Sequence, residues 1–144
     1  MSTFDIVSEE AIADGRATAA YFARTEEALR HAGKNPRVTC ELTADQFPTG
    51  EFELFAGVKD AAHLLEGMPV DVDALPEGTL FDGGPVLRLE GNYLDFARYE
   101  TPLLGFLSHA SGVATAALES RVAAPDSRVL SFGTRHVHPS IGAM

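Results

Sequence analysis

The run from Tyr99 to Ala124, YETPLLGFLSHASGVATAALESRVAA, restricts the possible folds of this chain more than any other segment. Thr101 reads as an N-cap with Pro102 at the first helical position, and Pro125 with Asp126 stops the helix near Ala124. Leu103, Leu104, Phe106, Leu107, Ala110, Val113, Ala114, Ala117 and Leu118 cover most of its circumference, which predicts a buried helix. Gly105, Ser108, Ser111, Gly112 and Thr115 leave little bulk on one side, so another backbone or a ligand can come close; tight packing alone would account for most of them. After the helix, Arg128 to Phe132 (RVLSF) predicts a short strand, Gly133 a turn, and His138 to Met144 the start of another helix. A single strand cannot make a parallel sheet, so the pattern predicts an α/β domain cut after its first strand.

Upstream, Ser8 followed by Glu9 and Glu10 reads as an N-cap with acids in the first turn, and Ala11 to Ala32 predicts one continuous helix ended by Gly33 and Pro36. Arg37 to Thr43 and Glu51 to Ala56 have strand composition around the turn-rich DQFPTG, which predicts an antiparallel pair. Val58 to Glu66 reads as a short helix. Between Val70 and Tyr99, β-type runs alternate with Pro-Glu-Gly, Asp-Gly-Gly-Pro and Gly-Asn turns, predicting a compact β-rich module.

With 144 residues, 45% of them hydrophobic, the chain can build one domain, or a small domain and part of another. No apolar run approaches the ~20 residues of a membrane span, and the acidic N-terminus is unlike a secretory signal. We therefore expect a soluble, cytoplasmic protein. Its formal charge of −10 argues against nucleic-acid and anionic-membrane partners, and suits a high-salt, halophilic cytoplasm. The charge is uneven: residues 1–126 hold 9 basic and 21 acidic residues, a net of −12, whereas residues 127–144 hold Arg128 and Arg135 and no acid. Cys40, the single cysteine, lies in an alternating run and reads as a structural thiol.

The end of the predicted strand is where chemistry is expected, because active sites of α/β barrels gather at the C-terminal ends of their strands. Phe132 and Arg135 can together hold a flat anion, the ring stacking on its face and the guanidinium binding carboxylate or phosphate. A surface arginine beside a core phenylalanine would give the same letters. His136 and His138 have no acid or cysteine near them in sequence, so no metal site is assigned; a phosphate contact or a helix start suits them better. Tyr21, beside Phe22 in the middle of a helix, reads first as a core aromatic.

In combination, Tyr21-Phe22-x-Arg24-Thr25, LLEGMPVDVDALPEGT, GPVLRLEG, YETPLLGFLSHASGVAT and SFGTRHVHP resemble archaeal-type nicotinate phosphoribosyltransferases, type II phosphoribosyltransferases, from Val7 to Met144. The resemblance implies a reaction in which nicotinate and phosphoribosyl pyrophosphate give nicotinate mononucleotide and pyrophosphate for NAD synthesis. Mg²⁺ is implied, as is ATP hydrolysis in much of the family. It also implies an α+β architecture: a hammerhead-like N-terminal domain of helices and antiparallel strands (1–100), a buried connecting helix (101–126) and the first strand of a truncated α/β barrel (127–144). Subunits are expected to pair head to tail in a homodimer or higher homo-oligomer.

By the same resemblance, Phe132 matches the ring that stacks on the pyridine, and Arg135 the catalytic arginine that contacts nicotinate or product phosphate. Tyr21 matches the tyrosine that covers the opposite pyridine face from the partner subunit. His136 stands where many relatives carry a second arginine, and it is cationic only when protonated. His138 joins it as a candidate substrate contact. The family's phosphorylated histidine, in a GT-x-x-H motif, and its Mg²⁺ ligands are expected on later strands, so the 144-residue piece alone is expected to be inactive.

Three other readings compete. A quinolinate phosphoribosyltransferase would carry a lysine after the matching arginine, which GTRHV lacks. A biotinyl or lipoyl carrier would need a lysine at a hairpin tip, and none lies between Val70 and Arg98. A short non-catalytic homologue that binds or dimerises is the third.

Overall fold

The computed structural model describes residues 6–44, 47, 50, 52–138 and 141. Helices and antiparallel sheet make an α+β domain, as expected. In chain order these are α1 (Glu9–Ala13), α2 (Ala20–His31), β1 (Arg37–Thr43), β2 (Glu53–Leu54), α3 (Val58–Leu65), β3 (Val70–Ala74), β4 (Leu80–Phe81), β5 (Pro85–Asn92), α4 (Tyr93–Phe96) and α5 (Glu100–Ala123). Single 3₁₀ turns cover Ala97–Tyr99 and Gly133–Arg135.

The predicted first helix is two helices. Ser8 does cap α1, its hydroxyl accepting from the Ala11 amide at 3.1 Å. The break follows from Asp14, whose carboxylate accepts the Arg16 amide at 3.1 Å, and from Gly15, at φ +72°. Asx-type bonds and a left-handed residue both compete with helix continuation. Gly15 also makes room, since a Cβ there would collide with the Arg98 side chain. Arg98 needs that space to reach Glu26, which is wholly buried on α2. Its Nε meets Glu26 Oε1 at 2.8 Å, its second nitrogen meets Oε2, and Arg30 adds a contact at 3.1 Å.

The strands pair differently from the expected neighbours. β5 is the centre of a three-stranded antiparallel sheet ordered β1-β5-β3, with Cys40 opposite Leu89, Leu42 opposite Leu87, and Val72 and Ala74 meeting the same two leucines from the other side. β2 pairs with β4 instead of β1, through Glu53–Phe81 and Leu54–Leu80. The reason is length and composition: β5 offers eight residues with Val86, Leu87 and Leu89 buried, a far longer apolar ladder than two-residue β2. Most of DQFPTG lies outside the described residues.

Helix α5 runs on from the 3₁₀ turn, so Thr101 is inside the helix rather than its N-cap; its hydroxyl accepts the Ala19 amide at 3.1 Å and joins the starts of α2 and α5. The helix is buried along one stripe, Leu103, Leu107, Ser111 and Thr115, each four residues from the last, with Pro102 buried beside its start. The stripe's hydroxyls serve β2 and the segment just after it: Thr115 Oγ1 accepts the Leu54 amide at 2.8 Å and Ser111 Oγ the Ala56 amide at 3.0 Å. Among the described residues β2 has a strand on one side only, so the helix supplies acceptors that a strand would otherwise provide. The expectation of burial all round is corrected, since Leu104, Val113 and Val122 are exposed.

A further correction concerns residues 128–132, which form no strand. A strand is held by its ladder partners, and no described strand lies beside this segment. The helix expected from His138 falls almost entirely outside the described residues.

Candidate functional site

Phe132 and Arg135 are brought together. The 3₁₀ turn Gly133–Arg135 closes as the His136 amide donates to the Gly133 carbonyl at 2.7 Å, with the Gly133 amide held on the Ser131 hydroxyl at 3.2 Å. This tight turn places the Arg135 guanidinium carbon 5.7 Å from the centre of the Phe132 ring, a cation–π arrangement. Phe132 is 65% exposed, so most of its ring is open to another flat group. His136 and His138 are exposed on the same segment, and the His138 carbonyl accepts the Ile141 amide at 3.0 Å. The described part of residues 127–144 contributes cation and aromatic surface with no carboxylate of its own.

Tyr21 is elsewhere, on α2. It is 56% exposed, which corrects its reading as a core aromatic; its neighbour Phe22 is the buried member of the pair, with ring centres 4.3 Å apart. Its hydroxyl neighbours the carboxyl of Glu100, the first residue of α5. Partial burial first, then the Glu100 charge, pushes the phenol up. Burial likewise raises the Glu100 carboxyl, and the Tyr21 hydroxyl partly offsets this. Glu100 had no place in the sequence reading. Nothing in a lone acid at the start of a helix distinguishes it from an ordinary first-turn acid.

Among the described residues no group of three or more His, Cys, Asp or Glu is placed to hold a metal ion, and no helix is long and apolar enough to cross a membrane. Burial raises the Cys40 thiol, with smaller contributions from Glu100 and Glu41, in keeping with its structural role.

The sequence pattern of the quinolinate phosphoribosyl transferase N-terminal domain matches residues 5–111. The chain belongs to this family. The match ends inside α5, so the Phe132–Arg135 turn lies beyond the part that defines family membership. Among curated relatives, the bovine nicotinate phosphoribosyltransferase is 44% identical over 82 residues, which is 56% of this chain and 15% of that protein.

Family membership extends to solved structures. The crystal structure of nicotinate-nucleotide pyrophosphorylase from Pyrococcus furiosus superposes with a TM-score of 0.94 and 46% identity, covering 98% of this chain and 37% of that one. Human nicotinic acid phosphoribosyltransferase gives 0.70 and 30% identity over 78% of this chain and 30% of that one. The chain therefore spans well under half the length of these relatives. The near-complete cover by the Pyrococcus protein carries the likeness past α5 into the terminal segment.

Proposed function

We propose that this chain is the N-terminal part of a nicotinate phosphoribosyltransferase, which forms nicotinate mononucleotide and pyrophosphate from nicotinate and phosphoribosyl pyrophosphate in NAD biosynthesis. The observation that carries the reading is the Arg135 guanidinium held 5.7 Å from the centre of an exposed Phe132 ring, on a segment with no acid. A pyridine carboxylate needs a flat apolar surface for its ring and a cation for its carboxylate, and this turn offers both. The names of the bovine and human relatives support the same substrate.

Displacement at the anomeric carbon of phosphoribosyl pyrophosphate develops positive charge on the sugar and negative charge on the leaving pyrophosphate. The useful work of this segment is to align the pyridine nitrogen with that carbon. Phe132 holds the ring plane and Arg135 the carboxylate or product phosphate. His136 and His138 add phosphate contacts in their protonated forms, and Tyr21 closes the other pyridine face of a neighbouring subunit's site. The proposal includes Mg²⁺ and ATP as family partners bound outside this chain, a cytoplasmic homodimer or higher homo-oligomer, and the division into 1–100, 101–126 and 127–144.

The matched family's description favours a second reading, quinolinate as substrate, with two carboxylates to neutralise. Assaying the complete enzyme with phosphoribosyl pyrophosphate and Mg²⁺ separates them: turnover of quinolinate without nicotinate would reverse the assignment. In the same enzyme Arg135→Ala is expected to lower kcat/KM for nicotinate by ~1–3 kcal/mol, the scale of a lost charge-assisted contact. Unchanged kinetics would remove Arg135 from the site.

A further inference from the structure

The side of α5 turned away from the core is open among the described residues, yet it is not made for water. Leu104, Gly105, Ser108, Gly112, Val113 and Ala116 are all exposed on it. From Leu104 to Ala117 the helix carries no charged residue, and its one titratable side chain there is His109, in a chain of net charge −10. A solvent face on so acidic a protein ordinarily shows carboxylates. The Ser108 hydroxyl is spent inside the helix, donating to the Leu104 carbonyl at 2.6 Å.

The glycines narrow down what is missing. Gly105 and Gly112 keep a negative φ, and a Cβ built on either meets no described atom within 4 Å outside the helix's own backbone. Nothing described in this domain therefore requires glycine there, although each one weakens the helix relative to alanine. Gly105, Ser108, Gly112 and Ala116 follow at steps of three, four and four residues, which aligns them as a shallow groove. Such a groove accepts the ridge of a second helix, and side chains this small let the two axes come to about 8 Å. In the Pyrococcus relative the matched part is 37% of the chain, so most of that protein lies outside it.

We infer that this groove seats a helix from the α/β part that follows residue 144 in the complete enzyme, with its backbone close to Gly112. The inference rests on the reading of this chain as the N-terminal part of a longer enzyme, and on no choice of substrate. Val129 and Leu130, just beyond the helix, are exposed as well, so the uncovered apolar surface does not end with α5.

Two measurements test it. Gly112→Ala is expected to raise the thermal midpoint of this chain by about 2–4 °C, because the methyl enters open space and alanine suits the helix better. In the complete enzyme the same change is expected to lower the midpoint, because the methyl meets the covering backbone. Any result in which the sign does not reverse overturns the inference. Ser108→Cys, which keeps the size of the side chain, gives a second readout should the alanine variant of the complete enzyme fail to fold. Its labelling by a small thiol reagent, over the background of Cys40, is expected to be slower in the complete enzyme than in this chain by on the order of tenfold or more. Equal rates overturn the inference. Slow labelling in this chain, together with a dimeric mass, would make a second copy the occupant and overturn it too. Neither readout involves turnover, so the nicotinate assignment can fail while the packing stands. A complete protein with no α/β part after this chain would remove the N-terminal reading and the inference together.

Discussion

Leu103 and Leu130 are both leucines within apolar runs, yet Leu103 has no exposed surface and Leu130 keeps 73% of its own. The first lies on α5, which packs against β2 and α3, and belongs to the buried core cluster with Leu107, Phe55 and Leu89. The second lies in a segment with strand composition and no described strand beside it. Apolar composition marks what an element needs, whereas burial requires a partner surface in reach. The same contrast divides α5 along its length: the stripe through Ser111 and Thr115 is covered, and the face with Val113 and Val122 is open.

The largest expected effect tests the closed side. Leu103→Ala should destabilise the chain by about 3–5 kcal/mol, the cost of a lost leucine side chain plus a cavity that rigid strands cannot fill. Urea unfolding followed by circular dichroism measures it. A cost under about 1 kcal/mol would mean that the core closes around the gap and that α5 is less firmly seated than its burial indicates.

Next comes the Glu26–Arg98 pair, which anchors α2 to the turn before α5. The Arg98 hydrogen bonds above all, then the charges of Arg98 and Arg30, hold the Glu26 carboxyl below the usual glutamate range despite its desolvation. A depressed folded pKa contributes stability that is present above the unfolded value of about 4.3 and is lost as pH falls through the folded one. Arg98→Met should therefore cost about 2–3 kcal/mol at neutral pH, where Arg30 remains as a partner, and the gap to the parent should narrow in acid. A gap that is constant from neutral to acidic pH would show that Arg98 acts through packing alone.

How legible the molecule was depends on whether the governing signal is local. β1 was read at its true ends and α3 to within a residue, because alternation and Gly-Pro punctuation act over a few positions. Partner choice was not legible. The pairing of β1 with β5 rather than with residues 51–56 is a contest between ladders, decided far away along the chain. The split between α1 and α2 was visible as Asp14-Gly15 yet outweighed by helical composition on both sides, and the left-handed φ of Gly15 together with the Arg98 side chain packed against it explains why a glycine is needed there. At the candidate site, Phe132 with Arg135 was legible as a short-range pair. Glu100 was not, since its neighbour Tyr21 is brought to it by the folding of α2 onto α5.

The Ser111 and Thr115 hydroxyls sit between these extremes, because their i, i+4 spacing put them on one face but suggested only small size. Their work as acceptors is tested by Thr115→Val, which keeps the shape and removes the acceptor of the Leu54 amide. The expected loss is about 1–2 kcal/mol, the scale of one unsatisfied backbone group in a partly buried place. Amide exchange at Leu54 should rise with it. If stability falls while that amide stays protected, the hydroxyl matters to the helix through its 2.7 Å bond to the Ser111 carbonyl rather than to β2.

The smallest effects are expected on the open side, and they sharpen the contrast most. Leu130→Ala and Phe132→Ala should each change the stability of this chain by no more than about 0.5 kcal/mol, as exposed side chains outside any packed cluster do. The cation–π contact of Arg135 with Phe132 does not alter this, since at an exposed site it is worth ~0.5–1 kcal/mol and ties two residues of one turn rather than two elements. In the complete enzyme the same Phe132→Ala should weaken nicotinate use clearly under the proposed function, in which the ring meets substrate. A Phe132→Ala chain that lost about 3 kcal/mol or more of stability, the scale of truncating a phenylalanine inside a packed core, would place the turn in the core and end its assignment as an open binding surface.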